Sequence, residues 1–181
     1  MTRPTGIWAV AVACALGLLG GCSEDSTPPR EFMAQVCDGL GDWFQSVSEA
    51  SGRTQRELGS ISDAARGRSH LTAFFDTLVE KTDLLISEIE EAGIPEVQGG
   101  QEAADRILQG LTDAREALDR GRRKIPDLPD DPAAFRDAAA ELRESVRSDL
   151  EEVGGSLREL NSSELKEAAR QVDSCRRLGS A

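Results

Sequence analysis

The sequence predicts an all-α domain of four helices packed up-down-up-down, with a short extra helix at the C-terminal end if the fourth one breaks there. Three observations carry this expectation. Leu71, Phe75, Leu78, Thr82, Leu85, Ile89 and Ala92 step by alternating fours and threes, a heptad seam that lines one face of a helix. Stop and start signals fall between the periodic segments: Gly93 with Pro95, Pro126 with Pro129, and Asp131 directly before Pro132. No run alternates apolar and polar residues with the β-branched or aromatic enrichment of a strand.

Each element follows from its own pattern. Phe32, Met33, Val36, Cys37, Leu40, Trp43, Phe44 and Val47 recur at the spacing of one helix face, so the first helix runs from about residue 30 to the mid-50s. Gly52 and Gly59 each weaken its continuation by about 1 kcal/mol relative to alanine. Residues 59–68 read as an irregular connection, with Gly67 as a break and Ser69 as a new N-cap. The heptad seam is the second helix, closed by Gly93. Ala104, Ile107, Leu108, Leu111, Ala114, Leu118 and Ile125 share one side of a third helix over about 100–124. Asp131-Pro132 opens the fourth, an aspartate N-cap with proline at the first helical position. Its stripe is Phe135, Ala139, Leu142, Val146, Leu150, Val153, Leu157 and Leu160. Asn161-Ser162-Ser163 caps a final helix bearing Leu165, Ala168, Ala169, Val172 and Cys175; the alternative is a fourth helix that passes through with a kink. The likeness of Ser87–Gly93 (SEIEEAG) to Ser148–Gly154 (SDLEEVG) is what two acidic amphipathic helices share by chance, although a duplicated hairpin would also produce it.

The N-terminus speaks to location. Arg3 gives a short basic start, Ile7 to Leu19 is apolar and uncharged, and Leu19-Gly20-Gly21-Cys22 follows. That order reads as a secretory signal. The apolar run falls short of the ~20 residues that span a bilayer. The Leu-x-Gly-Cys ending resembles a bacterial lipobox, and the resemblance implies that Cys22 becomes the mature N-terminus and carries acyl chains such as palmitate. An ordinary signal peptide cleaved nearby, with Cys22 incidental, is the alternative. The expected organisation is a lipoprotein signal peptide at 1–21, the lipidated cysteine and a short tether at 22–30, and the helical domain at 31–178. Ser23 to Arg30, fully extended, reaches only about 25–28 Å, which keeps the domain near the membrane.

Composition narrows the partners. Residues 1–21 hold one charge, Arg3, so the remaining 160 residues carry 20 of the 21 basic and all 33 acidic side chains, a formal charge of −13. Nucleic acid and a bare anionic bilayer are both repelled, which leaves covalent lipid as the membrane attachment. Three lysines stand against eighteen arginines, a mark of a GC-rich genome. With the lipobox, the chain resembles the small helical lipoproteins of actinobacterial-type envelopes. That resemblance implies attachment at the extracytoplasmic face of the cell membrane and brings no activity with it. The chain has no tyrosine and few aromatics, which argues against a stacking platform for carbohydrate.

Cys37 and Cys175 lie near the two ends of the mature chain, and export permits a disulfide between them. An up-down-up-down bundle brings both to one pole; two unrelated buried thiols are the alternative. The bond would close a loop of 138 residues. No histidine lies near either cysteine, so no metal site is expected there.

Catalytic chemistry is not expected. His70 is the only histidine and reads as an exposed or capping residue. Glu88 with Glu91 and Asp149 with Glu152 lie on outward faces, without the inward Glu-x-x-His pattern of di-iron bundles. Asp127, Asp130 and Asp131 form a loop cluster that would hold a cation weakly at best. Gly154-Gly155 lacks the preceding strand of a phosphate loop. No cofactor is implied. Trp43, Phe44, Phe74 and Phe75 form adjacent pairs of which one member each faces the core. The others read first as the flanks of a wide core; the alternative is a surface for an envelope protein of unknown identity between the first two helices, or a pocket there. A non-catalytic binding or scaffolding module is the leading function. The alternative is a carrier of a small apolar ligand held between the helices, for which Ala138, Ala139 and Ala140 would leave volume.

Acylation of Cys22 gives a direct test. Cys22→Ser should leave an unprocessed precursor or release the protein to the medium, and intact mass spectrometry of the native protein should find diacylglyceryl on Cys22; an unmodified Cys22 refutes the assignment.

Overall fold

The computed structural model describes residues 26–59, 62–158 and 162–179. The signal segment, Cys22, Leu160 and Asn161 lie outside the described residues, as do the side chains of Val153, Gly154-Gly155 and Leu157. The described chain is all-α. A two-residue strand β1 (Ser26–Thr27) precedes α1 (Pro29–Gly59) and α2 (Ala64–Ala92). Strand β2 (Ile94–Pro95), α3 (Gly100–Arg123), a 3-10 turn (Ile125–Asp127), α4 (Pro132–Arg158), α5 (Ser163–Arg170) and α6 (Asp173–Leu178) follow.

The α2 seam carries the packing. All seven predicted seam residues are buried. In one part of the core Leu71, Phe75 and Leu78 of α2 meet Leu58 at the end of α1, Leu118 of α3, Ile125 of the 3-10 turn, and Phe135, Ala139, Leu142 and Val146 of α4. In the other part Leu85, Ile89 and Ala92 meet Phe32 and Val36 at the start of α1, Ala103, Ala104, Ile107 and Leu111 of α3, and Leu165 of α5. Helix α4 enters the first part of the core and α5 the second.

Three expectations change. Helix α2 begins at Ala64, five residues before Ser69, because Asp63 is the cap: its Oδ1 accepts from the Ala65 N–H at 2.9 Å. Gly67 is not a break but a close approach. A Cβ there would lie 2.4 Å from Cε1 of Phe135, so α2 and α4 meet only because the side chain is missing. The final helix is two helices: Val172 takes an extended backbone (φ −103°, ψ 125°), buries its side chain and starts α6. That break swings Cys175 against α1.

The other boundaries follow the sequence. Asp131 Oδ1 accepts from the Ala133 and Ala134 N–H groups at 3.0 and 2.9 Å. Ser162 Oγ accepts from the Leu165 N–H at 3.2 Å. Gly93, at φ 74°, closes α2. The tether differs from expectation at its inner end. Ser26 and Thr27 pair in parallel with Ile94 and Pro95, and the Thr27 hydroxyl donates to the Ala92 carbonyl at 2.6 Å. Helix α1 then starts at Pro29, so the segment outside secondary structure is shorter than 22–30.

Gly67→Ala should overpack the α2–α4 contact and destabilise the domain by about 1–3 kcal/mol. Urea denaturation followed by circular dichroism reads the effect. A neutral outcome would mean that Phe135 has room to turn away.

Candidate functional site

The pole at the start of α1 is clamped covalently. Cys37 and Cys175 are joined, S–S 2.07 Å and Cα–Cα 5.0 Å, across 138 residues. In the chain-entropy account such a loop stabilises the fold by about 4–5 kcal/mol. The bond fastens α6 to α1, and α5 packs on α1 beside it.

Along the same helix, α1 and α2 leave a groove. Gly39, Asp42 and Trp43 line it from α1, and Lys81, Leu84 and Glu88 from α2. Gly39 sets the width there, since a Cβ would lie 2.8 Å from both Leu85 Cδ1 and Glu88 Oε2. Trp43 is half-buried and fixed: its Nε1 donates to the Thr82 hydroxyl at 3.0 Å. Thr82 is fully buried and donates in turn to the Leu78 carbonyl at 2.8 Å, so both roles of the hydroxyl are used. Leu84, 48% exposed, stands on the rim. Phe44, 53% exposed, sets its ring edge-on to Trp43 at 5.1 Å between centroids.

The structure does not bring the four predicted aromatics together. Phe75 is buried in the core and Phe74 packs half-buried against it, the two rings edge-on at 5.4 Å. They sit two turns along α2 from Thr82, roughly 10 Å by helical rise. The groove beside Trp43 has a volume of about 150 Å³. That is half the ~300 Å³ at which small-molecule sites begin. A wider depression of about 460 Å³ lies open to solvent between Pro29–Arg30 and α5, away from all four rings.

Charge is unevenly neutralised around this flank. Helix α3 arginines reach across to α2 and α4: Arg115 to Asp83 at 2.8 Å, Arg122 to Asp76 at 2.7 Å, and Arg120 to Asp149 at 3.7 Å. On α4, hydrogen bonding to Arg147 holds the Glu144 carboxyl below the usual carboxylate range. The α1–α2 side lacks such cover. Residues 38–49 contain Asp38, Asp42 and Glu49 and no Lys or Arg; residues 80–91 contain Glu80, Asp83, Glu88, Glu90 and Glu91 against Lys81 alone. Among the described residues Asp38, Asp42, Glu80, Glu88, Glu90 and Glu91 form no ion pair.

The remaining chemistry-bearing residues are engaged in structure. His70 Nδ1 lies 3.0 Å from Glu57 Oε2, which ties α2 to α1 rather than capping a helix. Arg68 bonds the Leu128 carbonyl and Asp130, both at 2.6 Å, and Asp131 is the α4 cap. Two of the three loop carboxylates therefore have structural partners. Ala139 is buried, Ala138 half-buried and Ala140 exposed. Among the described residues no three His, Cys, Asp or Glu side chains gather as a metal site, and no helix is long and apolar enough to cross a membrane.

Sequence reasoning missed Leu84, Asp42 and the spacer Gly39, and placed Glu88 on an outward face without a role in a groove. A signal existed: Leu84 is an apolar residue off the heptad seam, inside a run of carboxylates. Compared with protein-family models, characterised proteins and solved structures, the chain matches none.

Thr82→Val should cost about 1 kcal/mol by stranding the Trp43 N–H. Trp43 is the only tryptophan after residue 8, so its emission reports the site directly. The maximum should move in the variant while the far-ultraviolet dichroism stays the same; an unmoved maximum means that Thr82 does not hold the ring.

Proposed function

We propose that this protein is a lipid-anchored, extracytoplasmic binding module of the cell envelope, non-catalytic, holding a protein partner on its α1–α2 flank. The observation that carries the reading is the placement of Leu84 and Phe44. They are the exposed large hydrophobics of the described residues, and both adjoin Trp43, which is fixed from beneath by Thr82. Exposed apolar side chains around a rigid aromatic are what interface anchors require. The carrier alternative needs the rings around one cavity, and they are divided between core and surface.

The domain architecture supports the reading as an up-down-up-down bundle whose fourth position α4 and α5 share. The end of α2 meets the starts of α1 and α3 in one part of the core, as alternating directions require. Attachment through Cys22 fits the same design. Only three residues separate Cys22 from Ser26, four backbone steps that reach about 14 Å, and Ser26–Thr27 is paired to β2. Force on the anchor would pass into β2 and into the disulfide-braced start of α1. The groove would stand beyond that pole, with its long axis away from the bilayer.

A photo-crosslinking amino acid at Leu84 should capture a discrete envelope protein in living cells, while the same probe at exposed Glu116 on α3 should not. Equal capture at both positions, or none at Leu84, overturns the proposal.

A further inference from the structure

We propose that the α1–α2 groove receives a cationic amphipathic segment of the partner, with an apolar side chain on Leu84 and Trp43 and Lys or Arg side chains at Asp42 and Glu88. This rests on the binding-module reading and adds the chemistry of the partner. The charge is the first argument. Residues 38–49 and 80–91 carry formal charges of −3 and −4, and of their carboxylates only Asp83 is in an ion pair among the described residues, with Arg115 of α3. The carboxylates that line the groove, Asp42 and Glu88, form no ion pair among the described residues, whereas those facing α3 are covered by its arginines. An acidic rim around an apolar centre attracts cations and rejects anions, which fixes the sign of the occupant. Size is the second argument. About 150 Å³ admits side chains rather than a small molecule. Lys81 supplies direction. It lies two helical turns from Glu88, beside the Thr82 that holds Trp43, so the most cationic end of the segment lies over Glu88. A second copy of this chain is a poor occupant. In its basic cluster at residues 120–124 the three arginines are already paired, Arg120 to Asp149, Arg122 to Asp76 and Arg123 to Asp119, which leaves Lys124 alone to offer a cation.

The test uses the lipidated full-length mature protein in zwitterionic nanodiscs, with empty discs as the blank. The probe is a synthetic helical peptide with leucines on one face and arginines on the other; its counterpart carries glutamate for arginine. Calorimetric titration should give one-to-one binding of the arginine peptide, weaker as salt rises, and none of the glutamate peptide. Asp42→Asn with Glu88→Gln should weaken binding roughly tenfold or more, Leu84→Ser should weaken it likewise, and Lys81→Glu should tighten it. Glu144→Gln with Glu151→Gln removes two carboxylates from α4 and should change nothing. Circular dichroism melts confirm that each variant is folded. The proposal falls if the arginine peptide does not bind, if the glutamate peptide binds as well, or if the α4 variant loses as much as the groove variant. It also falls if sedimentation shows that the protein self-associates through Leu84. If crosslinking at Leu84 captures a partner segment without cations, the binding-module reading stands and this chemistry is wrong.

Discussion

Helix α2 must bury one continuous apolar seam, and the other elements are arranged to cover it. The seam is longer than any single partner accounts for. Helices α1 and α3 contribute to both parts of the core, while α4 covers one part and α5 the other. Thr82 sits in the seam between Leu78 of one cluster and Leu85 of the other. A buried hydroxyl without partners would cost roughly 1–3 kcal/mol. Here Trp43 supplies a donor and the Leu78 carbonyl an acceptor. The same bond that satisfies the core also fixes the ring that borders the groove. Core packing and the position of a surface ring are thus linked through one side chain.

Close helix approach is achieved by omission. Gly67 admits Phe135, Gly121 admits Val146 and Phe75, and Gly39 admits Leu85 and Glu88. Each glycine costs about 1 kcal/mol of helix propensity relative to alanine. The cost is offset where the neighbour gains full burial, as Phe135 and Phe75 do. At Gly39 the neighbour includes a charged side chain, and the gain is a groove rather than a sealed contact. Helix α6 offers a different economy. It is too short to hold itself by packing, and the bond from Cys175 to Cys37 fixes it on α1.

The sequence made the helices legible because their apolar periods and caps are local. The α2 seam, the Asp131 and Ser162 caps and the Gly93 stop are all set within a few residues. The misread features are those in which a distant residue decides. Gly67 looks like a break until Phe135 is seen against it. The start of α2 moved to Asp63 because a cap can precede the first seam residue by more than one turn. The end of the last helix is set by the place where Cys175 must meet Cys37, which no local pattern states. Phe75 is buried with Phe74 half-buried beside it, while Trp43 and Phe44 sit on α1 level with Thr82, a separation that adjacency in the sequence does not state. The groove was missed for the same reason: Asp42 and Glu88 are 46 positions apart and meet only across the α1–α2 contact.

Leaving carboxylates uncovered on one flank has a thermodynamic consequence for the free protein. Helix α3 contributes arginines to α2 and α4, and exposed pairs of this kind contribute roughly 0–1 kcal/mol each. Their larger effect is on the field. They neutralise one side of the domain and leave the α1–α2 side as the concentrated negative pole, where self-repulsion works against compactness. A fold selected only for stability would place arginines on α1 between residues 38 and 49, where none occurs. The uncovered charge is therefore a standing cost, screened by salt over roughly 8 Å at physiological ionic strength. It is relieved when a cation occupies the flank. Under the proposed attachment through Cys22, confinement near a surface would raise the effective concentration of partners held on it, and a modest complementary charge would then count for more.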